Sequence, residues 1–216
     1  MNKRTRWIIR IAVIAYLILA YLCIHDEFTF LILNTFLAYI PIELSFHINA
    51  QSPQKSWLFW ILIIIWILFL PNAPYMLTDL MHLTLLDPYN WNTGLIRANI
   101  GLWANFSELV IAALTATIIS MWGIDHVATA ITQRYHYGKG KHFLIVNVIL
   151  FLSALGIYIG RFLRLHTIFL ITPFWVIKPL MTMWSWHMIA IVLMLYFVQF
   201  IIYIALMIFR NNQAQH

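Results

Sequence analysis

Six apolar stretches divide the chain, near residues 7–24, 28–46, 57–77, 100–122, 143–161 and 184–209. Each runs for about 18 to 26 residues, enough to cross a hydrocarbon layer of roughly 30 Å as a helix. None alternates apolar and polar positions as a barrel strand would, and a lone span must satisfy its backbone hydrogen bonds internally. The pattern predicts an all-α, polytopic bundle of about six transmembrane helices forming a single integral membrane domain over residues 1–216.

The third stretch stops short. Residues 57–70 are uninterrupted apolar side chains, about 21 Å of helix, and then the chain reads Pro71-Asn72-Ala73-Pro74. Each proline lacks an amide donor and pushes the residue before it, Leu70 and Ala73, away from helical geometry. A break is expected here, with a short second helix through "YMLTDLMHLTLL" capped by Asn72, its first amides free to face an anion. The fifth stretch carries Gly156 and Gly160 at four-residue spacing, which lets a neighbouring helix approach closely. Residues 165–186 are too apolar for an ordinary loop, yet Pro173 and Pro179 interrupt them. An interfacial or re-entrant piece is expected, with Trp175, Trp184 and Trp186 at headgroup level.

Composition strengthens this picture. Hydrophobic residues make up 63% of the 216 and charged residues only 9%, with a mean hydropathy of +0.84. A soluble domain carries roughly 25% charged residues, so this chain has too little polar surface to face water. The net charge of +6 is not a nucleic-acid footprint, because the cations sit at the N-terminus and in short connections. Lys3, Arg4, Arg6, Arg10, Lys55, Arg134, Lys139, Lys141 and Arg210 fall on the side of the N-terminus, and Arg97, Arg161, Arg164 and Lys178 on the other. By the positive-inside rule both termini are expected in the cytoplasm. The basic start lacks a small-x-small cleavage site, with Tyr21 and Leu22 directly before Cys23, so it is read as an uncleaved first span. That single cysteine cannot form an internal disulfide.

Three phrases, "LNTFLAYIP" (33–41), "FLPNAPYMLTDLMHL" (69–83) and "GIYIGRFLR" (156–164), together resemble the signatures of a bacterial membrane family catalogued as domain of unknown function 1361. The resemblance implies a multi-pass plasma-membrane protein and no particular activity. Where such relatives continue with a W-N-S-W-D phrase after the arginines, this chain reads Leu165, His166, Thr167, Ile168 and Phe169.

The topology gathers polar groups at the outer face. Tyr75, Asp79 and His82 are spaced four and three apart, on one face of a helix, and Arg161 and Arg164 share a face likewise. Glu108 lies about two turns into the fourth span from the same side. Three readings compete. Asp79 and Arg161 can form a structural ion pair, since charges near a span are costly unless paired. The arginines with Asn72, Tyr75, Asp79 and His82 can bind a phosphate or carboxylate, from an anionic lipid or a small anion. His82 can act as acid or base with Asp79 orienting it, in a membrane-embedded enzyme acting on an envelope substrate. A non-catalytic assembly role, through the tryptophans and methionines of 173–186, is a further alternative, and self-association is left open.

No metal or cofactor is expected. Asp79 and His82 with Glu108 or His166 give an incomplete ligand set, and HExxH, CxxC, P-loop, GxGxxG and GxSxG patterns are absent. Glu43 is expected to reach the headgroups or a neighbouring helix. Asn34, Asn147 and Gln199 are expected to hydrogen-bond between helices. His126, His136 and His142 are placed in a solvated cytoplasmic loop over 123–142, where Lys139 and Lys141 suit an anionic leaflet.

Overall fold

A computed structural model describes residues 1–23, 29–164 and 173–213. The helices are α1 (Lys3–Cys23), α2 (Phe30–Ser45), α3 (Ser56–Phe69), α4 (Asn72–Asp79), α5 (Ile100–Arg134), α6 (Lys139–Phe162), α7 (Pro173–Thr182) and α8 (Trp186–Gln213). A 3₁₀ helix, Leu80–Leu86, continues α4. The described residues contain no strand, only two isolated bridges. Five segments are long and apolar enough to span: 3–22, 56–86, 100–134, 139–162 and 186–210. The expected second span is a shorter apolar helix of 16 residues.

Successive long helices run antiparallel, so α1 starts and α8 finishes at one end of the bundle, the terminal end. Arg10 of α1 meets Glu43 near the finish of α2 at 2.5 Å, and Tyr39 donates to the same carboxylate at 2.6 Å. Glu43 thus reaches a neighbouring helix, one of its two expected destinations. The core at this end joins Phe59, Ile63 and Trp66 of α3 to Met121, Ile124 and Leu150. The buried Trp66 indole donates to the Pro41 carbonyl at 3.0 Å, which removes the cost of an orphaned N–H. At the far end Leu31, Ala73, Met76, Leu109 and Ala113 form a second core under the α4 turn.

The break in the third span is milder than the prolines suggest. Leu70 stays helical (φ −51°, ψ −43°), and so does Pro71 (φ −57°, ψ −26°). Ala73 N–H shifts one residue forward to the Leu70 carbonyl at 3.2 Å, and Tyr75 N–H takes the Pro71 carbonyl at 2.9 Å. One tightened turn therefore joins α3 to α4. Asn72 does not cap α4. Its side-chain amide donates backwards to the Phe69 carbonyl at 2.8 Å, replacing the donor that Ala73 withdrew. The Ala73 and Tyr75 amides are thus engaged and Pro74 has none, so α4 does not start afresh as an anion-facing helix end.

Helix α5 corrects a second expectation. Residues 123–134 are helical and only 135–138 form a turn. At about 1.5 Å per residue, 35 residues reach roughly 52 Å, well beyond a hydrocarbon layer. The polar residues mistaken for a loop have partners. Asp125, buried, accepts from Arg210 at 2.6 Å and Tyr203 at 3.0 Å. His142 lies 3.5 Å from Asp125 and 3.2 Å from the Thr129 hydroxyl. His126 stacks on Trp122 with ring centres 4.8 Å apart and meets the Ile48 carbonyl at 2.8 Å. His136 alone of the three histidines is exposed.

Helix α7 occupies part of the stretch read as interfacial, and Trp184 and Trp186 after it are exposed. His166 and the rest of 165–172 lie outside the described residues. Asn34, Asn147 and Gln199 make the expected inter-helix bonds, to Asp79, Tyr196 and Ser153 respectively.

Candidate functional site

The far-end cluster is built by a close approach. A Cβ on Gly156 would lie 2.3 Å from Cγ of Pro71, so only a bare backbone admits the proline ring. One turn on, Gly160 faces the Tyr75 ring, where a Cβ would sit at an ordinary 3.5 Å. This seam presses α4 against α6 and brings Asp79 to Arg161. The expected role of the two glycines in helix packing is therefore met, with Gly156 the tighter site.

Asp79 is fully buried. Its Oδ1 accepts from Arg161 Nη1 at 3.0 Å, and its Oδ2 accepts from Asn34 of α2 at 2.7 Å. Arg161 also donates to the Tyr75 hydroxyl at 3.2 Å and, through Nη2, to the Thr78 carbonyl at 3.2 Å. Its guanidinium carbon lies 5.5 Å from the Tyr75 ring centre, within cation–π range. One carboxylate thereby ties three helices, α2, α4 and α6. A charge removed from water at this depth is tolerable only with such pairing.

His82 joins from the 3₁₀ helix. Its Nδ1 lies 3.0 Å from the Asp79 backbone carbonyl and 3.7 Å from Oδ1, so the carbonyl is the closer partner. A carbonyl can only accept, so this contact requires a proton on Nδ1. Phe30 lies against the imidazole with ring centres 4.4 Å apart.

Two expected members fall elsewhere. Helix α6 ends at Phe162, and Arg164 takes a left-handed backbone (φ 53°) beyond it, exposed. Arg161 and Arg164 therefore do not share a helix face. Glu108 receives a long hydrogen bond, 3.4 Å, from Tyr16 of α1, its only hydrogen bond among the described residues. Sequence reasoning assigned Asn34 to helix packing but not to this cluster. Its place four residues into the "LILNTF" stretch is the signal, since a lone amide in a span seeks a polar partner. At the terminal end, the Asp125, Tyr203 and Arg210 group was missed because Asp125 was assigned to a loop.

A bundle of long apolar helices, held at each end by an arginine on a buried aspartate, defines a membrane protein of uncharacterised activity. The chain belongs to the family described as protein of unknown function (DUF1361), whose model matches residues 33–202. All three resembling phrases fall within that match. No curated protein and no solved structure matches this chain.

Proposed function

We propose that this is a multi-pass plasma-membrane protein, both termini cytoplasmic, that holds an anionic lipid headgroup or small anion at its outer face. The excess of Lys and Arg at the terminal end supports that orientation. The observation that carries the ligand reading is the unequal use of the two arginines. Asp79 balances Arg161, whereas Arg164 projects exposed past the helix end. The far end thus keeps a positive charge that no carboxylate among the described residues balances, while Tyr75 and Thr78 fix the guanidinium of Arg161. An anion's oxygens can engage the guanidinium of Arg164.

Native mass spectrometry of protein released from phosphatidylcholine vesicles doped with phosphatidylglycerol tests this. Arg164→Gln is expected to lower phosphatidylglycerol retention about tenfold, the loss of one charge-assisted contact. Competition by inorganic phosphate would assign the site to free anions as well as headgroups. Unchanged retention in the variant contradicts the reading.

One observation favours a second reading, an enzyme acting on an envelope substrate. The Nδ1 contact orients His82 and leaves Nε2 available as a base. On that reading His82→Ala abolishes the cellular phenotype of the intact gene while protein abundance stays normal. Full function in that variant removes it.

A further inference from the structure

Among the described acidic residues, all but one have an arginine. Glu43 meets Arg10 at 2.5 Å, Asp79 meets Arg161 at 3.0 Å, Asp87 meets Arg97 at 2.9 Å and Asp125 meets Arg210 at 2.6 Å. Glu108 is the exception: no described cation lies within ion-pairing distance of it. It stands eight residues into α5, about 12 Å along the helix. A carboxylate so placed, with no cation partner among the described residues, lowers its cost most simply by taking up a proton.

Its neighbours suit that exchange. Tyr16 of α1 places its hydroxyl 3.4 Å from Oε1. The Thr35 hydroxyl of α2, buried and with no hydrogen-bond partner among the described residues, adjoins the same tyrosine. With Glu108 ionised, the Thr35 hydroxyl can turn to donate to Tyr16 while Tyr16 donates to the carboxylate. With Glu108 protonated, the acid O–H donates to Tyr16, whose own hydroxyl proton turns towards Thr35. Both states use the same three groups, because a hydroxyl both donates and accepts. We propose that Glu108, with Tyr16 and Thr35, forms a reversible proton-binding site within the membrane, separate from the far-end arginine cluster.

The facing groups leave the proton as the natural occupant. From α1 the facing titratable group is Tyr16, and from α2 the facing group is the uncharged Thr35. Asp79 of α4 is engaged by Arg161 of α6, and His82 of the 3₁₀ helix by the Asp79 carbonyl. Further along α5, Asp125 is held by Arg210 of α8 with His142 of α6 beside it. The site bridges α1, α2 and α5, so proton uptake and release act on the seam between α1 and the rest of the bundle.

Dicyclohexylcarbodiimide, an apolar reagent, tests the site in full-length protein reconstituted into phosphatidylcholine vesicles. The O–H of a protonated carboxyl adds across its C=N bond to give an O-acylisourea, which rearranges to an N-acylurea without losing an atom. Peptide mass spectrometry is expected to find the adduct on Glu108, increasing as pH falls, with Glu43, Asp79 and Asp125 spared. Glu108→Gln is expected to remove it. Three results would each overturn the proposal. One is an unlabelled Glu108 from acidic to alkaline pH in protein whose thermal unfolding shows it folded. Another is equal labelling by a water-soluble carbodiimide, which would place the carboxyl in water. The third is protection by sodium at fixed pH, which would make the occupant a metal cation.

Discussion

Replacing Arg161 by methionine is expected to cost about 3 kcal/mol of stability, the range for stripping one partner from a buried ion pair. An unbranched apolar stem is kept while the charge and every donor are lost. Asp79 then retains only the Asn34 hydrogen bond on Oδ2, and its Oδ1, with the His82 ring 3.7 Å away, loses its arginine in a fully buried position. Tyr75 and the Thr78 carbonyl lose their shared partner in the same step. The reverse change, Asp79→Asn, is expected to cost less. Arg161 keeps a side-chain exposure of 22% and can turn its charge outward, still bonded to Tyr75 and Thr78. Thermal unfolding in mild detergent, followed by tryptophan fluorescence, is expected to rank the variants in that order. Equal losses would mean that Asp79 is less enclosed than its surroundings indicate.

Gly156→Ala is the second large effect. The new methyl would stand 2.3 Å from Cγ and 2.9 Å from Cβ of Pro71. Pro71 is a ring with no rotamer to escape into, and it forms the turn between α3 and α4. The helices must separate, at about 1–3 kcal/mol for an overpacked seam. Separation also draws Asp79 away from Arg161, so this variant is expected to lower anionic-lipid retention along with the unfolding temperature. Gly160→Ala serves as the control. Its methyl would meet the Tyr75 ring at 3.5 Å, an ordinary contact, and close to full stability is expected. Matching losses at both glycines would show that helix propensity or general crowding, not the Pro71 notch, governs the seam.

Much of this seam was legible in the sequence. Prolines that end an apolar run, small residues at four-residue spacing, and opposite charges near two helix ends are local signals; the first two marked a break and a close approach without naming partners, and the charges led to theirs. The capping role given to Asn72 failed because a cap requires a helix that starts afresh. Here α3 and α4 share a turn, and the amide is used by the carbonyl at Phe69. Gly123, Asp125 and His126 read as a loop for a related reason. Asp125 and His126 find their partners in Arg210 and Ile48, residues distant in sequence that no window along the chain can include, and Gly123 lies against Ser45. Arg164 was aligned with Arg161 by helical spacing, which holds only while the helix lasts. The chain leaves it after Phe162.

The central claim is that Asp79 and Arg161 stabilise the far end as one unit joining α2, α4 and α6. A double-mutant cycle on unfolding stability, with Asp79→Asn, Arg161→Met and the two combined, tests it most directly. A double variant more stable than the Arg161→Met single, with a coupling of about 1 kcal/mol or more, is the predicted result. Losses that add without coupling would contradict it.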